Sequence, residues 1–316
     1  MKQIIRIATK DDLHAIVKIF MEMFPKICKT QNEYEAHIMV RIDENAIYVL
    51  ADQTNSIIGF YSFVIWANGE GKMFYFNDLA VATEHQGKGY STLLFKHAKN
   101  FAKENDCEIF QLGVDADNSH AHNIYKHWEL HELNTEMEYF VTDDKLPLIA
   151  NVRRAEVNDI PKLMELLESA DNSDGENILD TFHRPHYFHE VNLTRVVNEY
   201  AERMTSDIFQ EDDMDVFVSV DDSNEPTGYY VSRFDTYNPY GHEPLPKTLG
   251  LACVFTTQEG WKNGSMDSLF AFAKQYAQES AAARIEVEIR PFRDSELAFV
   301  KQQGFKGYRY TMRCYL

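Results

Sequence analysis

A chain of 316 residues exceeds what one hydrophobic core usually supports, and its length favours two domains. With 44% hydrophobic and 13% aromatic residues the composition is globular, neither disordered nor fibrous. A formal charge of −19 argues against nucleic acid or an anionic membrane surface as partner, since both reward basic patches, and leaves cationic ligands open.

In chain order the first half reads as strand (3–8), helix (11–24), helix (31–43), three strands (46–52, 57–67, 72–82), helix (88–104), strand (108–114), helix (119–128) and strand (136–142). Asp11 or Asp12 is a suitable cap for the first helix, in which Leu13, Ile16, Val17 and Phe20 recur on one face. Thr54-Asn55 and Asn68-Gly69 suit turns between antiparallel strands, whereas the strand, helix, strand run from Lys72 to Val114 is a right-handed crossover between parallel strands. The expected class is therefore α+β, each domain a mixed, mostly antiparallel twisted sheet flanked by helices. TDDKLP, Thr142 to Pro147, reads as a linker, so domains are expected at 1–145 and 146–316.

The second half repeats the first. IRIATKDDLHAI from Ile5 matches VRRAEVNDIPKL from Val152 at an offset of 147, with Arg6 on Arg153 and Asp12 on Asp159. Later, LLFKHAKNFAKE from Leu93 matches SLFAFAKQYAQE from Ser268 at an offset of 175, and Leu130 falls on Phe305. The 28-residue difference implies an insertion, expected in the polar stretch from Asp171 to about Asp213.

NDLAVATEHQGKGYSTLLFKHAKNFA carries the chemistry. An apolar strand ends at Val81, a loop holds Gly87 and Gly89, and a helix starts at once. Glycines clear side chains from the loop, so N–H groups from Gln86 to Ser91 can converge on a pyrophosphate at the positive end of the helix dipole. The fingerprint G-x-G-x-x-G is not met, which disfavours a dinucleotide site. The first half resembles the GNAT superfamily of N-acetyltransferases from end to end. Gln86, Gly89 and Ser91 occupy the marked places of its loop [RQ]-x-x-G-x-[GA], with Ser91 a departure, and Asn118, Ala121, Ile124 and Tyr125 meet N-x-x-A-x-x-[LI]-Y. Glu129-Leu130 stands where the family commonly has Gly-Phe.

The resemblance implies acetyl-CoA as co-substrate, held by Leu79, Ala80, Val81, Gln86, Gly87, Lys88, Gly89, Tyr90, Ser91, Asn118 and Tyr125, with no metal. Backbone N–H groups near Leu79 to Val81 would face the thioester carbonyl, and Tyr125 would protonate the departing thiolate. An acidic residue before the strand end often serves as base in the family. Asp78 and Asn77 stand there on opposite faces of the strand, and the sequence does not say which faces the substrate. The acceptor is expected among Glu22, Phe24, Glu33, Glu35, Tyr61, Phe63 and Trp66, a mixture of carboxylates and aromatics that suits a cationic amine and that solvent-facing helices also produce.

The second copy is degenerate where the first is specific. Trp261, Lys262 and Met266 fall on Gln86, Gly87 and Ser91, Arg293 and Glu296 on Asn118 and Ala121, and Val300 on Tyr125, while Gly304-Phe305 keeps the family's ending. His183, His186 and His189 in HRPHYFH are spaced by three, but Pro185 interrupts a helix there, and a surface loop is the expectation over a metal site. Cys28, Cys107, Cys253 and Cys314 form no CxxC pair and read as buried thiols. No stretch approaches the roughly 20 apolar residues of a membrane span, and MKQIIRIATKDD lacks a signal-peptide core, so a cytoplasmic location is expected. The expected function is transfer of an acetyl group to a primary amine of a small molecule or peptide, by direct attack in a ternary complex, with no nucleic acid or membrane as partner and the protein a monomer or homodimer. The alternative is a CoA-binding regulatory or scaffold module without turnover.

Overall fold

The computed structural model describes residues 3–25, 30–68, 71–163, 165–166, 178–180, 214–235, 247–289 and 294–316. The first half runs β1 (Ile4–Ile7), α1 (Leu13–Met23), α2 (Gln31–Asp43), β2 (Ile47–Ala51), β3 (Ile57–Asn68), β4 (Gly71–Val81), α3 (Tyr90–Glu104), β5 (Ile109–Asp115), α4 (Ser119–His127) and β6 (His131–Phe140). The second half runs β7 (Val152–Arg154), β8 (Ile178–Asp180), β9 (Met214–Val220), β10 (Pro226–Asp235), β11 (Thr248–Thr256), α5 (Gln258–Lys262), α6 (Ser265–Glu279), β12 (Arg284–Ile289), α7 (Asp294–Gln302) and β13 (Lys306–Tyr315). The expected elements of the first half recur within a few residues, except that its last strand begins at His131 and not at 136. That end is hard to read because HELNTE alternates polar residues with few apolar ones.

The thirteen strands among the described residues form one sheet, ordered β1-β2-β3-β4-β5-β13-β6-β12-β11-β10-β9-β7, with β8 also paired to β11. β4 and β5 are parallel, as are β11 and β12, and the other described pairs are antiparallel. The terminal strands are exchanged: β13, from the end of the chain, lies beside β5 of the first half, and β6 lies beside β12 of the second. The 175-residue repeat governs this exchange, since Phe110 pairs with Cys314 while its counterpart Ile285 pairs with Tyr139.

Apolar spacing decides which face each helix takes. α1 buries Ile16, Val17, Ile19 and Phe20, and with α2 it covers one face of β2 to β4 through Phe60 and Ala80. α3 buries Leu94, Phe95, Ala98 and Ala102 against the opposite face, on Phe74, Phe76, Phe110 and Leu112. α6 repeats α3 with Leu269, Phe270, Ala273 and Ala277 on Leu249, Leu251 and Val287. Each large apolar side chain so buried contributes about 1.5–3 kcal/mol before entropy.

The first repeat motif is a built device. Asp12 does not cap α1 through its own side chain; its carboxylate receives both arms of Arg6 (2.7 and 2.8 Å) and the Thr9 N–H (2.8 Å). Asp159 takes Arg153 and the Glu156 N–H in the same way. The β2-β3 turn is also repeated: Asp52 accepts from the Thr54 and Ser56 N–H groups, and Asp221 from those of Ser223 and Glu225. Asn55 and Asn224, at φ +63° and +64°, occupy the left-handed position of the two turns. They stand 169 residues apart, so of the 28 inserted residues 22 precede the turn and 6 follow it. Most of 171–213 and the His183, His186, His189 cluster lie outside the described residues.

Candidate active site

β4 and β5 pair only from Met73–Ile109 to Phe76–Leu112. Beyond that point β4 continues to Val81 bonded to β3 alone, and β5 continues to Asp115 bonded to β13. A wedge opens between them. Its β4 wall carries Leu79, Ala80 and Val81, whose strand edge toward β5 has no ladder partner among the described residues.

The wedge leads to the glycine loop. Gly87 (φ +72°) and Gly89 (φ +80°) are left-handed, and a Cβ on either would meet nothing within 4 Å. Conformation, not crowding, thus demands glycine here, and the space above the loop is open. Leu93 N–H to Gly89 O is the first backbone bond of α3, which leaves the N–H groups of Tyr90, Ser91 and the following Thr92 without helical partners. No acidic residue occupies that first turn. Gln86 turns inward to donate to Val81 O (3.1 Å), tying the loop to the end of β4, and Lys88 folds back onto Glu84 O (2.7 Å). Such a cradle fits a pyrophosphate.

Across the wedge, Asn118 caps α4 by accepting from the Ala121 N–H (3.1 Å). Its role in the structure is to start the helix that carries Tyr125. Tyr125 packs on Trp128, which stacks on Phe95 of α3 at 4.2 Å. Burial, and then the nearby Asp78, push the Tyr125 phenol up to about 12.

A bulge in β4 answers which of Asn77 and Asp78 turns inward. The register passes from Phe63–Phe76 to Ser62–Asp78, skipping Asn77, so Asp78 shares the face of Ser62 and Ala80 beneath α1 and α2. Asp78 is buried at 7% exposure and accepts from the Ser62 hydroxyl, while Asn77 is half-buried. Burial pushes the Asp78 carboxyl above its ordinary value, and Arg41, Ser62 and Arg309 pull it back.

The residues expected around the acceptor divide between the two faces. Tyr61 and Phe63 belong to the core under α3, opposite to Asp78, which corrects their expected place on the acceptor side. Trp66 is 37% exposed and stacks on Tyr75 at 5.4 Å. Glu22 accepts from Thr83, Glu33 closes the capping box of α2 with Thr30, Glu35 accepts from Gln31, and Phe24 rests on Phe20. Sequence reasoning missed Tyr75 and Arg309, whose meeting depends on strand exchange across 234 positions.

The second half keeps the backbone and fills the spaces. Gly264 has φ +80°, like Gly89, and the bulge recurs between Val231 and Ser232. Lys262, however, ends helix α5 where the first half has its Gly87 turn, and Ser265 and Met266 are buried where Tyr90 and Ser91 are half-exposed. Asp267 adds a carboxylate to the first turn of α6. Trp261 packs on Phe299, and Val300 is core. Arg293 lies outside the described residues. The wedge edge of β11 is taken by β8, which pairs Cys253–Asp180, Val254–Leu179 and Phe255–Ile178. Those β11 positions are the counterparts of Asp78, Leu79 and Ala80.

A separate cavity of about 650 Å³, lined by residues including Lys99, Lys126, His131 and Cys314, contains none of the expected site residues. Among the described residues no three metal-ligating side chains gather, and no helix is long and apolar enough to cross a membrane.

Residues 13–128 match the family model described as the acetyltransferase (GNAT) family. No curated protein matches the chain. Among solved structures, a GCN5-related glucosamine N-acetyltransferase region of a fungal multi-domain GH3 beta-N-acetylglucosaminidase is similar with a TM-score of 0.59 at 17% identity, over 100% of this chain and 38% of that one. The chain thus spans well under half of the fungal protein. A GCN5-related N-acetyltransferase from Sphaerobacter thermophilus gives 0.56 at 11% identity, over 99% of this chain and 95% of that one. A tandem GNAT protein from the clavulanic acid biosynthesis pathway gives 0.50 at 12% identity, over 99% and 98%. At these identities the likeness is one of fold. Residues 13–128, which hold the splayed β4 and β5 and the glycine loop ahead of α3, are the stretch of this chain that matches the GNAT acetyltransferase family.

Proposed function

We propose that the protein transfers an acetyl group from acetyl-CoA to a primary amine of a small molecule or peptide, by direct attack in a ternary complex. The observation that carries this reading is the contrast between the wedges: β4 presents a bare edge beside an open glycine loop, and the corresponding edge of β11 is covered by β8. Residues 1–145 are then the catalytic, acetyl-CoA-binding unit, completed by β13, and residues 146–316 a degenerate copy.

Gly87, Lys88, Gly89, Tyr90 and Ser91 hold the pyrophosphate with backbone N–H groups at the positive end of α3, and Gln86, whose own N–H goes to Thr83 O, supports the loop through Val81 O. The free edge from Leu79 to Val81 offers N–H donors to the pantetheine and to the thioester carbonyl as negative charge develops on its oxygen. Asp78, on the acceptor face, receives the amine proton directly or through water; burial strengthens it as a base. Tyr125, on the other side of the wedge, gives a proton to the departing thiolate. A phenol at about 12 facing a thiol near about 8.5 is an uphill donor, so the proton is shared as sulfur charge develops in a site shielded from water. Asn118 acts by fixing α4. The acidic chain suits a cationic acceptor.

The test is release of coenzyme A thiol during incubation with acetyl-CoA and a panel of amines. Turnover on at least one amine, lost in Asp78→Asn, is the expected result. Tight acetyl-CoA binding without turnover on any amine would replace the enzyme by a CoA-binding regulatory or scaffold module.

A further inference from the structure

We propose that Arg309, carried on the exchanged strand β13 of the second half, is a positioning residue of the first half's acetyl-transfer site, holding Tyr75 beneath the wedge and supplying a cation to the Asp78 side of it. This rests on the assignment of the β4-β5 wedge as the reaction site. The second copy would then retain a role in chemistry through one side chain, although its own wedge is closed.

Three observations converge on this residue. In the ladder Arg309 stands opposite Asp115, yet its side chain runs back over Gly113, where a Cβ would lie 2.3 Å from its Nε and Nη2. The absence of a side chain at 113 therefore lets the guanidinium cross β5. It arrives at β4, where Nη2 donates to the Tyr75 hydroxyl at 3.2 Å. Tyr75 in turn stacks on the exposed ring of Trp66, so Arg309 fixes an aromatic wall on the acceptor side of the sheet. Gly113 is the first residue of β5 beyond the last β4-β5 pair, which puts the crossing at the throat of the wedge.

The groups facing Asp78 come from four other elements: Ser62 on β3, Arg41 on α2, Tyr125 on α4 and Arg309 on β13; Tyr75 shares its strand. Arg41 is itself tied to the buried His37 at 3.3 Å. Both arginines favour the ionised carboxylate, whereas burial opposes it. Arg309 also opposes the rise that burial, Glu136, Asp78 and Glu288 impose on Tyr75; Glu136 of β6 stands opposite Arg309 in the ladder. Removing Arg309 therefore leaves Asp78 with Arg41 as its opposing cation and takes one hydrogen bond from the Tyr75 hydroxyl.

The experiment follows the side-chain carboxyl carbon of Asp78 by 13C NMR through a pH titration of the full chain, assigned with Asp78→Asn. In Arg309→Gln the midpoint should rise, while Arg309→Lys, which keeps the charge, should stay near wild type. Gly113→Ala offers a second route, because the new methyl displaces only the flexible end of Arg309; it should reproduce the Arg309→Gln shift even if that variant folds poorly. The acid limb of kcat/KM should move by the same amount. An unmoved Asp78 midpoint in folded Arg309→Gln or Gly113→Ala would overturn the proposal. Absence of turnover in the wild type would instead overturn the assignment of the reaction, and the titration would still decide whether Arg309 acts on Asp78.

Discussion

Thr135 of β6 lies directly opposite Tyr310 of β13, its own counterpart 175 residues later. The pairing continues symmetrically, Glu138 with Lys306 on one side and His131 with Arg313 on the other, so a two-fold axis runs through the middle of the sheet. The two halves are therefore related as subunits of a dimer are, with a 316-residue chain supplying both. A duplicated chain of this kind can specialise one copy while the other keeps the fold, and the contrast between the two wedges has that character.

The sharpest test of that asymmetry compares Gly89→Trp with Gly264→Trp. Both glycines sit at φ +80° with open space around a would-be Cβ, so both substitutions should cost a similar 1–2 kcal/mol or so of conformational strain, read as comparable falls in Tm. Acetyl-CoA binding by calorimetry should disappear only in Gly89→Trp, and the wild type should bind one molecule per chain. Two molecules per chain, or equal loss in both variants, would mean that β8 does not close the second wedge.

For the proposed acid, Tyr125→Phe keeps the ring that packs on Trp128 and removes the hydroxyl. kcat should fall by about 10²–10⁴ with acetyl-CoA affinity retained. Because burial holds the phenol at about 12, it stays protonated throughout the working range, and the kcat profile should show no alkaline loss from this group below about pH 11. Unchanged turnover would remove Tyr125 from the mechanism.

Much of this was legible in the sequence because it rests on local signals. Glycine spacing and helix periodicity each act within a few residues, and each reappears as geometry, whereas Arg6, Asp12, Arg153 and Asp159 marked the repeat without disclosing the ion pairs they form. What escaped notice depends on contacts between distant segments. Period-two alternation put Asn77 and Asp78 on opposite faces but could not choose between them, because the choice is made by a bulge set against β3. Tyr61 and Phe63 read as acceptor residues because aromatic strands look alike from either face; only packing under α3 distinguishes them. Arg309 sits in an ordinary-looking final strand, and its reach to Tyr75 exists only once the strands are exchanged.

Acid titration of stability separates the structural carboxylates from the candidate base. Hydrogen bonds from Arg6 and Arg153 hold Asp12 and Asp159 below their ordinary values, so their stabilisation is present above the unfolded pKa of about 3.9 and is lost as pH falls through the folded values. Asp12→Asn should cost about 1.5–3 kcal/mol at pH 7, and the difference from wild type should shrink in acid. Asp78 has the opposite sign. Its raised value means that ionisation costs stability as pH climbs from about 3.9 through the folded pKa, so Asp78→Asn should raise Tm at pH 7 while lowering turnover. A fall in Tm for Asp78→Asn would show that Arg41, Ser62 and Arg309 together outweigh burial.

Strand exchange also predicts how the halves behave apart. β6 has β13 and β12 as its neighbours, both from the second half, and β13 has β5 and β6, both from the first. Residues 1–145 expressed alone would leave β6 with no ladder partner and the edge of β5 bare, a surface that invites pairing with other chains. The fragment should therefore aggregate or self-associate. Coexpression with residues 146–316 should restore a soluble one-to-one complex that binds acetyl-CoA, because each fragment supplies the strand the other lacks. Size-exclusion chromatography with light scattering distinguishes the outcomes. A stable monomer of residues 1–145 that binds acetyl-CoA by itself would show that β13 contributes nothing essential to the fold of the first half, and would restrict its contribution to the single guanidinium it carries across β5.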